Sequence, residues 1–209
     1  MLALLTPGCS SPPEPHSPAE PAVGSAPDAS GSTSSPYQVG AADSVGNTGS
    51  PDALYRFRFK QTDPASDRFT YQDRELSFYF RPAPDAMHFQ IENRKDRPVW
   101  IDWERSKVYD PLGRTDRVAH ASTRWTDRFA TQTPTQISGL QRYGDYVLPM
   151  DYLLDPGTST DQLHRPLLPE DASAPQYDAH DFGVDLVINV ENQARTYAFR
   201  FRVVSVLPR

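Results

Sequence analysis

The fold is decided near the C-terminus, by Val184-Asp185-Leu186-Val187-Ile188-Asn189-Val190 followed by Tyr197-Ala198-Phe199-Arg200-Phe201-Arg202-Val203. Large apolar side chains occupy every second position of both runs. A period of two is typical of a β-strand with one face in the core and the other in solvent. A turn is predicted between the runs, at about 191–194, so the pair is predicted to form a long β-hairpin.

The same alternation occurs upstream, where it predicts strands at 55–60, 76–80, 87–92, 99–104, 115–121 and 143–148. Asp110-Pro111-Leu112-Gly113 has the residues of a type I turn, with Asp first, Pro second and Gly fourth. No segment has convincing helical spacing. Strands that follow one another without crossover helices indicate an all-β protein, an antiparallel β-sandwich of immunoglobulin-like topology, with a barrel as the alternative. The proline-containing segment 151–182 is predicted to be a long irregular loop, either functional or disordered.

Composition divides the chain near residue 53. Residues 1–52 hold nine of the 21 prolines, five acidic residues and no Lys or Arg. Such a segment buries too little apolar surface to offset the loss of chain entropy, so 9–52 is predicted to be a disordered tether. Residues 53–209 hold all 21 Lys and Arg residues and nearly all the aromatic ones, and they are predicted to form the folded domain.

Charge and cysteine content exclude several classes of protein. A net charge of -6 argues against a nucleic-acid partner, because nucleic-acid-binding domains are usually basic. The single cysteine, Cys9, excludes a disulfide framework and a zinc site built on several cysteines. A loop sequence, Asp178-Ala179-His180-Asp181, offers oxygen and nitrogen ligands, but metal ligands usually come from fixed elements with supporting hydrogen bonds. We therefore expect no metal and no cofactor.

The N-terminus, Met1-Leu-Ala-Leu-Leu-Thr-Pro-Gly-Cys9-Ser-Ser, places a short apolar run and a glycine directly before the cysteine. It resembles the end of a bacterial lipoprotein signal peptide, which is cut before a cysteine that becomes acylated. The resemblance implies that 1–8 are the remnant of a signal peptide and that Cys9 carries the lipid. Stable anchoring requires more than one acyl chain, and mature bacterial lipoproteins carry several. Ser10 stands where an aspartate would mark retention in the inner membrane, so the resemblance implies the outer membrane, on its periplasmic side.

A second resemblance covers about 86–150 and the final Tyr-x-Phe-x-Phe strand. The order of an apolar strand, Asn93, Ile101-Asp-Trp103, Ser106, Asp110-x-x-Gly113 and Arg117-Val-x-His120 is similar to that of uncharacterised bacterial envelope lipoproteins. This resemblance implies a fold and a location in the cell envelope, but no function.

The densest polar cluster offers the candidate site residues, which are Trp100, Asp102, Trp103, Glu104 and His120. On a regular strand Asp102 and Glu104 would share a face about 6–7 Å apart, as the paired carboxylates of glycosidases do. Trp100 lies on the same face and could stack on a sugar ring. His120 is predicted to be half-buried and hydrogen-bonded. No Gly-x-Ser-x-Gly elbow and no phosphate-binding glycine loop is present.

Together these features predict a membrane-anchored envelope lipoprotein that binds a protein partner or supports an envelope assembly, without catalysis. Two alternatives stay open at this point. One is a glycan-binding module that faces peptidoglycan or surface sugars through Trp100. The other is a hydrolase that uses Asp102 or Glu104 with His120.

Overall fold

The computed structural model describes residues 52–209, so Cys9 and the predicted tether up to residue 51 lie outside the described residues. Thirteen strands follow in chain order: β1 (Tyr55–Asp63), β2 (Ala65–Ser66), β3 (Thr70–Gln72), β4 (Leu76–Pro82), β5 (Met87–Asn93), β6 (Val99–Tyr109), β7 (Thr115–His120), β8 (Thr135–Ile137), β9 (Arg142–Pro149), β10 (Leu153–Leu154), β11 (Leu163–His164), β12 (Asp181–Val190) and β13 (Gln193–Pro208). Three short 3₁₀ turns, and no α-helix, accompany them in this part of the chain: Trp125–Asp127, Met150–Tyr152 and Ala174–Tyr177.

The predicted C-terminal hairpin is present as β12 and β13, which pair from Asp181↔Arg202 to Val190↔Gln193. The turn contains two residues, Glu191 and Asn192, with φ angles of 50° and 64°. Positive φ at both positions is the geometry of the tight hairpin turns that match strand twist, and asparagine tolerates it well. The hairpin prediction is therefore confirmed, with a tighter turn than the sequence indicated.

All strand pairs are antiparallel. Eleven strands form one continuous hydrogen-bonded sheet in the order β2-β1-β13-β12-β6-β7-β9-β5-β4-β3, with β8 attached to β6, and β10 and β11 form a separate two-stranded sheet. β7 makes the path continuous. Its first half pairs with β6 through 115–117, and its second half pairs with β9 through 118–120. The prediction of an all-β, antiparallel protein is confirmed, and the strands form a nearly closed, barrel-like sheet.

The two halves of the sheet meet through buried aromatic rings. The ring centroid of Phe199 on β13 lies 4.4 Å from that of Phe80 and 5.0 Å from that of Phe78, both on β4. Near one end of this contact, an ion pair joins Arg195 to Glu75. The period-two apolar residues of β4 and β13 thus face each other, which is why their alternation predicted buried faces correctly.

The segment between β9 and β12 is ordered and covers the core. Leu167 and Leu168 in this segment are 2% and 0% exposed. Their backbone amides donate to the carbonyl oxygens of Asp85 and Pro84, at 3.1 and 2.9 Å. Of the two expectations for 151–182, the disordered one is therefore wrong.

Candidate functional site

A wide bulge interrupts β6 at its centre. Between the pairs Asp102↔Val187 and Lys107↔Asp185, β6 has four residues where β12 has one. Ser106 closes the gap: its hydroxyl donates to the carbonyl of Asp102 at 2.6 Å and accepts from the N–H of Val187 at 3.0 Å. Bulges re-aim the side chains of the strand that carries them. The alternation of β6 holds through Trp103, with Asp102 and Glu104 on the outward side, and it breaks where Glu104 and Arg105 are both exposed.

Trp103 follows Val99 and Ile101 on the inward face of β6 and is 0% exposed. Its indole N–H donates to the hydroxyl of Thr135 on β8 at 2.8 Å. The indole stacks on the imidazole of His120, with ring centroids 4.1 Å apart and planes inclined by 14°. Trp103 thus fixes the plane of the His120 ring rather than presenting a surface.

Asp145 on β9 lies at the centre of a buried polar cluster, and we call the side chains of Trp103, His120, Tyr143 and Asp145 the Asp145 cluster. The Oδ1 atom of Asp145 accepts from the backbone N–H groups of Ala121 at 3.0 Å and of Tyr146 at 2.7 Å. Its Oδ2 atom lies 3.2 Å from Nδ1 of His120 and also accepts from the hydroxyl of Tyr143. Both residues of the His120–Asp145 pair are buried, with side chains 7% and 3% exposed.

The hydrogen bonds decide the charge of Asp145. Burial alone would raise its pKa, because a carboxylate loses solvation in the interior. The hydrogen bonds from His120, Tyr143 and the two backbone amides outweigh burial and lower the pKa of Asp145 below its usual value. Asp145 is therefore a carboxylate at neutral pH, and both its oxygens act as acceptors.

The loop from residue 121 to residue 134 joins β7 to β8 and is fixed at its base. The guanidinium of Arg117 donates to the carbonyl oxygens of Arg128 and Ala130, each at 3.0 Å. Glu104 accepts from the N–H of Gln132 at 2.6 Å and from Arg117 at 2.8 Å. Glu104 is thereby bound to the loop, and it makes no hydrogen bond or ion pair with His120 or Asp102 within residues 52–209.

The outer part of this loop carries three side chains that we call the aromatic–arginine patch: Trp125, Arg128 and Phe129. The guanidinium carbon of Arg128 lies 3.5 Å from the ring centroid of Trp125 and 4.4 Å from that of Phe129. Phe129 is 83% exposed. Cation–π stacking holds the three side chains together on a loop whose base is already fixed.

Trp100 lies on β6, half-exposed, with an amide side chain opposite it on each neighbouring strand. Its register partners are Gln136 on β8 and Asn189 on β12. Directly paired residues project from the same face of a sheet. A half-exposed aromatic ring between two amides has the polarity of a surface that stacks on a sugar and hydrogen-bonds its hydroxyl groups.

The structure thus brings two of the five predicted site residues, Trp103 and His120, into contact, and it places the other three apart from them. Asp102 is half-exposed and accepts from the N–H of Arg105 at 3.2 Å. Asp181, one of the oxygen ligands that the loop sequence 178–181 offers, pairs with Arg202 at 2.6 and 2.7 Å. Within residues 52–209, no three His, Cys, Asp or Glu side chains are grouped so that they could hold a metal ion.

Sequence reasoning missed Asp145, Tyr143 and the aromatic–arginine patch. A signal for Asp145 was available, because Tyr143, Asp145 and Val147 share one face of a strand whose alternation was recognised. A carboxylate on the inward face of a strand must be hydrogen-bonded or paired with a charge, so an acid at such a position indicates a buried polar site. The patch left no periodic signal, since it lies on a loop.

Comparisons with protein-family models, with curated proteins and with solved structures find no match to the chain. Among residues 52–209, nothing helical has the length and apolar character needed to cross a membrane.

Proposed function

We propose that the chain is a lipid-anchored protein of a bacterial cell envelope that presents its all-β body to a protein partner. In this proposal Cys9 carries the acyl chains, the acidic, proline-rich segment up to residue 52 spaces the body from the outer membrane, and the body faces the periplasm. The immunoglobulin-like topology stays a prediction, which the strand order given above does not establish.

The observation that favours binding is the exposure of Phe129 on a loop whose base is fixed. Aromatic and arginine side chains are enriched at protein interfaces relative to the rest of the protein surface. Arg117 and Glu104 hold the loop in place before any partner arrives. A preorganised loop loses little conformational entropy on binding, so more of the contact energy remains as affinity.

The anchor is tested by feeding cells labelled palmitate. We expect the full chain to incorporate the label and Cys9→Ala to lose it completely, because no other cysteine is present. Ser11→Ala is the matched control and should be labelled like the wild type. Label that persists on Cys9→Ala would refute the anchor.

Partner binding is tested in cells by replacing Phe129 with a photo-crosslinking phenylalanine analogue. We expect a discrete cross-linked product whose yield falls when Arg128 is changed to Ala, since Arg128 holds the ring in place. The matched control carries the analogue at Leu140, which is 68% exposed on a different loop. The same product from both positions, or no product from either, would contradict binding through the aromatic–arginine patch.

Glycan binding is the second candidate, and Trp100 between Gln136 and Asn189 is the observation that favours it. A glycan array separates the two candidates. Binding that is lost in Trp100→Ala and kept in Phe129→Ala would replace the protein-binding proposal with this one. If the wild-type chain binds no glycan on the array, glycan binding is excluded as its function.

A further inference from the structure

The Asp145 cluster ends at an exposed serine. The hydroxyl oxygen of Ser122, which is exposed, lies 3.5 Å from Nε2 of His120, and Nδ1 of the same ring lies 3.2 Å from Oδ2 of Asp145. A hydroxyl next to a base that a third group orients is the arrangement of nucleophilic catalysis, and it recurs on unrelated folds. We propose that Ser122 is a nucleophile, that His120 is its general base, and that the chain cleaves a carboxylic ester.

The hydrogen bonds of Asp145 fix the tautomer of His120. Because both carboxylate oxygens act only as acceptors, the proton of a neutral imidazole resides on Nδ1, where it is donated to Asp145. The Nε2 atom then carries the lone pair and faces the hydroxyl of Ser122. That is the orientation in which the imidazole can take the hydroxyl proton.

The base is also held rigidly. Trp103 stacks on one face of the His120 ring at 4.1 Å, and Thr135 holds the indole in turn. The backbone N–H of His120 donates to the hydroxyl of Thr123 at 3.0 Å, and its carbonyl accepts from Gln162 at 3.3 Å. Catalytic geometry depends on this kind of support, because a misplacement of about 1 Å can cost 100-fold in rate.

The distance between Ser122 and His120 is at the outer limit for a hydrogen bond. In enzymes without substrate, catalytic hydrogen bonds are often long and tighten when the substrate binds. Ser122 lies in the turn directly after β7, whereas His120 is fixed by its contacts. A small movement of the Ser122 side chain is therefore sufficient to complete the pair.

Ester hydrolysis at Ser122 proceeds through an acyl-serine, and each step uses only the ester, water and the side chains named here. The oxygen of Ser122 forms a bond to the ester carbonyl carbon while its proton moves to Nε2 of His120. When the tetrahedral intermediate collapses, the C–O bond to the alcohol breaks and the alcohol takes that proton. Water, activated by His120, then hydrolyses the acyl-serine, which releases the carboxylic acid and restores the serine. The backbone N–H of Ser122 donates to no acceptor within the described residues, and it is free to stabilise the oxyanion.

This activity goes beyond the proposed binding function and differs from the hydrolase alternative, which combined Asp102 or Glu104 with His120. Glu104 is bound to Arg117 and the loop, whereas His120 pairs with Asp145. The esterase proposal depends neither on acylation of Cys9 nor on a protein partner. Its failure would therefore leave the anchor and the partner-binding proposals unaffected.

The test uses the purified full chain and a fluorophosphonate probe. The serine oxygen bonds to phosphorus and fluoride leaves, so one probe group adds per chain and mass spectrometry locates it. We expect the label on Ser122, none on Ser122→Ala, and unchanged labelling of Ser138→Ala, which removes another exposed serine. His120→Gln should label at least 100-fold more slowly, in line with the usual contribution of a general base.

Hydrolysis is followed with p-nitrophenyl acetate as the ester. We expect release of p-nitrophenolate by the wild type and by Ser138→Ala, and release at the buffer rate by Ser122→Ala. Because Ser122 is exposed, Ser122→Ala is expected to fold, which its circular dichroism spectrum will verify. Absence of labelling in the wild type, or equal labelling of Ser122→Ala, would overturn the proposal.

Discussion

Phe199→Ala is expected to lower the free energy of unfolding by about 3–5 kcal/mol, the usual cost of removing a large aromatic side chain from a core. Phe199 is 1% exposed. Its ring contacts those of Phe80, Phe78 and Tyr71, with centroid distances of 4.4, 5.0 and 5.8 Å. The loss is large because Phe199, on β13 toward one end of the sheet path, packs against rings of β4 and β3 at the other end, so the cavity opens between the two.

Urea denaturation followed by circular dichroism measures this effect. Phe129→Ala is the matched control, since it removes the same atoms from a side chain that is 83% exposed. Exposed substitutions usually change stability by less than about 0.5 kcal/mol. Domains are stable by only about 5–15 kcal/mol, so the variant is expected to lose a large part of its stability. Equal losses for Phe199→Ala and Phe129→Ala would show that the contact between β13 and β4 does not hold the sheet together.

The strands were predictable because their signal is local. Alternation in β12 and β13 follows from one buried face, and every residue that carries the pattern lies within the strand itself. The turn from Asp110 to Gly113 was predictable for the same reason. The N–H of Gly113 donates to the carbonyl of Asp110 at 3.0 Å, and the Asp110 side chain accepts from the N–H groups of Leu112 and Arg114, each at 2.9 Å.

The order of the strands and the bulge in β6 could not be predicted from local pattern. They depend on pairings between distant segments, such as that of Val187 with the hydroxyl of Ser106, 81 residues apart. The division of β7 between β6 and β9 is likewise a long-range choice, and it converts two stacks of strands into one path. The alternation of apolar residues shows on which face of the sheet a side chain lies, but it does not show which strand pairs with which.

The alternation of β9 could have marked Asp145 as an inward-facing acid, but its pairing with His120 could not be predicted from local pattern. His120, at the end of β7, was recognised as a half-buried residue with a hydrogen bond, but its partner comes from β9, 25 residues further along. Only the pairing of β7 with β9 brings the two side chains together. Ser122, in the turn that follows β7, lies 3.5 Å from the ring of the same histidine.

Asp145→Ala is expected to lower the free energy of unfolding by about 2–5 kcal/mol at pH 7. The substitution removes the acceptor of His120, of Tyr143 and of the backbone amides of Ala121 and Tyr146. Each buried donor left without an acceptor costs about 1–3 kcal/mol. Asp161→Ala is the control, because Asp161 is exposed and its substitution should leave stability nearly unchanged.

The difference between wild type and Asp145→Ala is expected to shrink in acid. Because the folded pKa of Asp145 is lowered, the unfolded chain binds a proton first as pH falls below about 3.9, the ordinary value of an aspartate. The stability that the carboxylate contributes is thus fully present above that pH, and it is lost as pH falls through the folded pKa. Asp85 and Asp181 also have lowered pKa values, but they titrate in both proteins and cancel in the difference. Urea denaturation at pH 6 and at pH 3 measures the free energy of unfolding of both proteins. If the difference between them stays constant or grows toward pH 3, Asp145 is not held as a carboxylate by its hydrogen bonds.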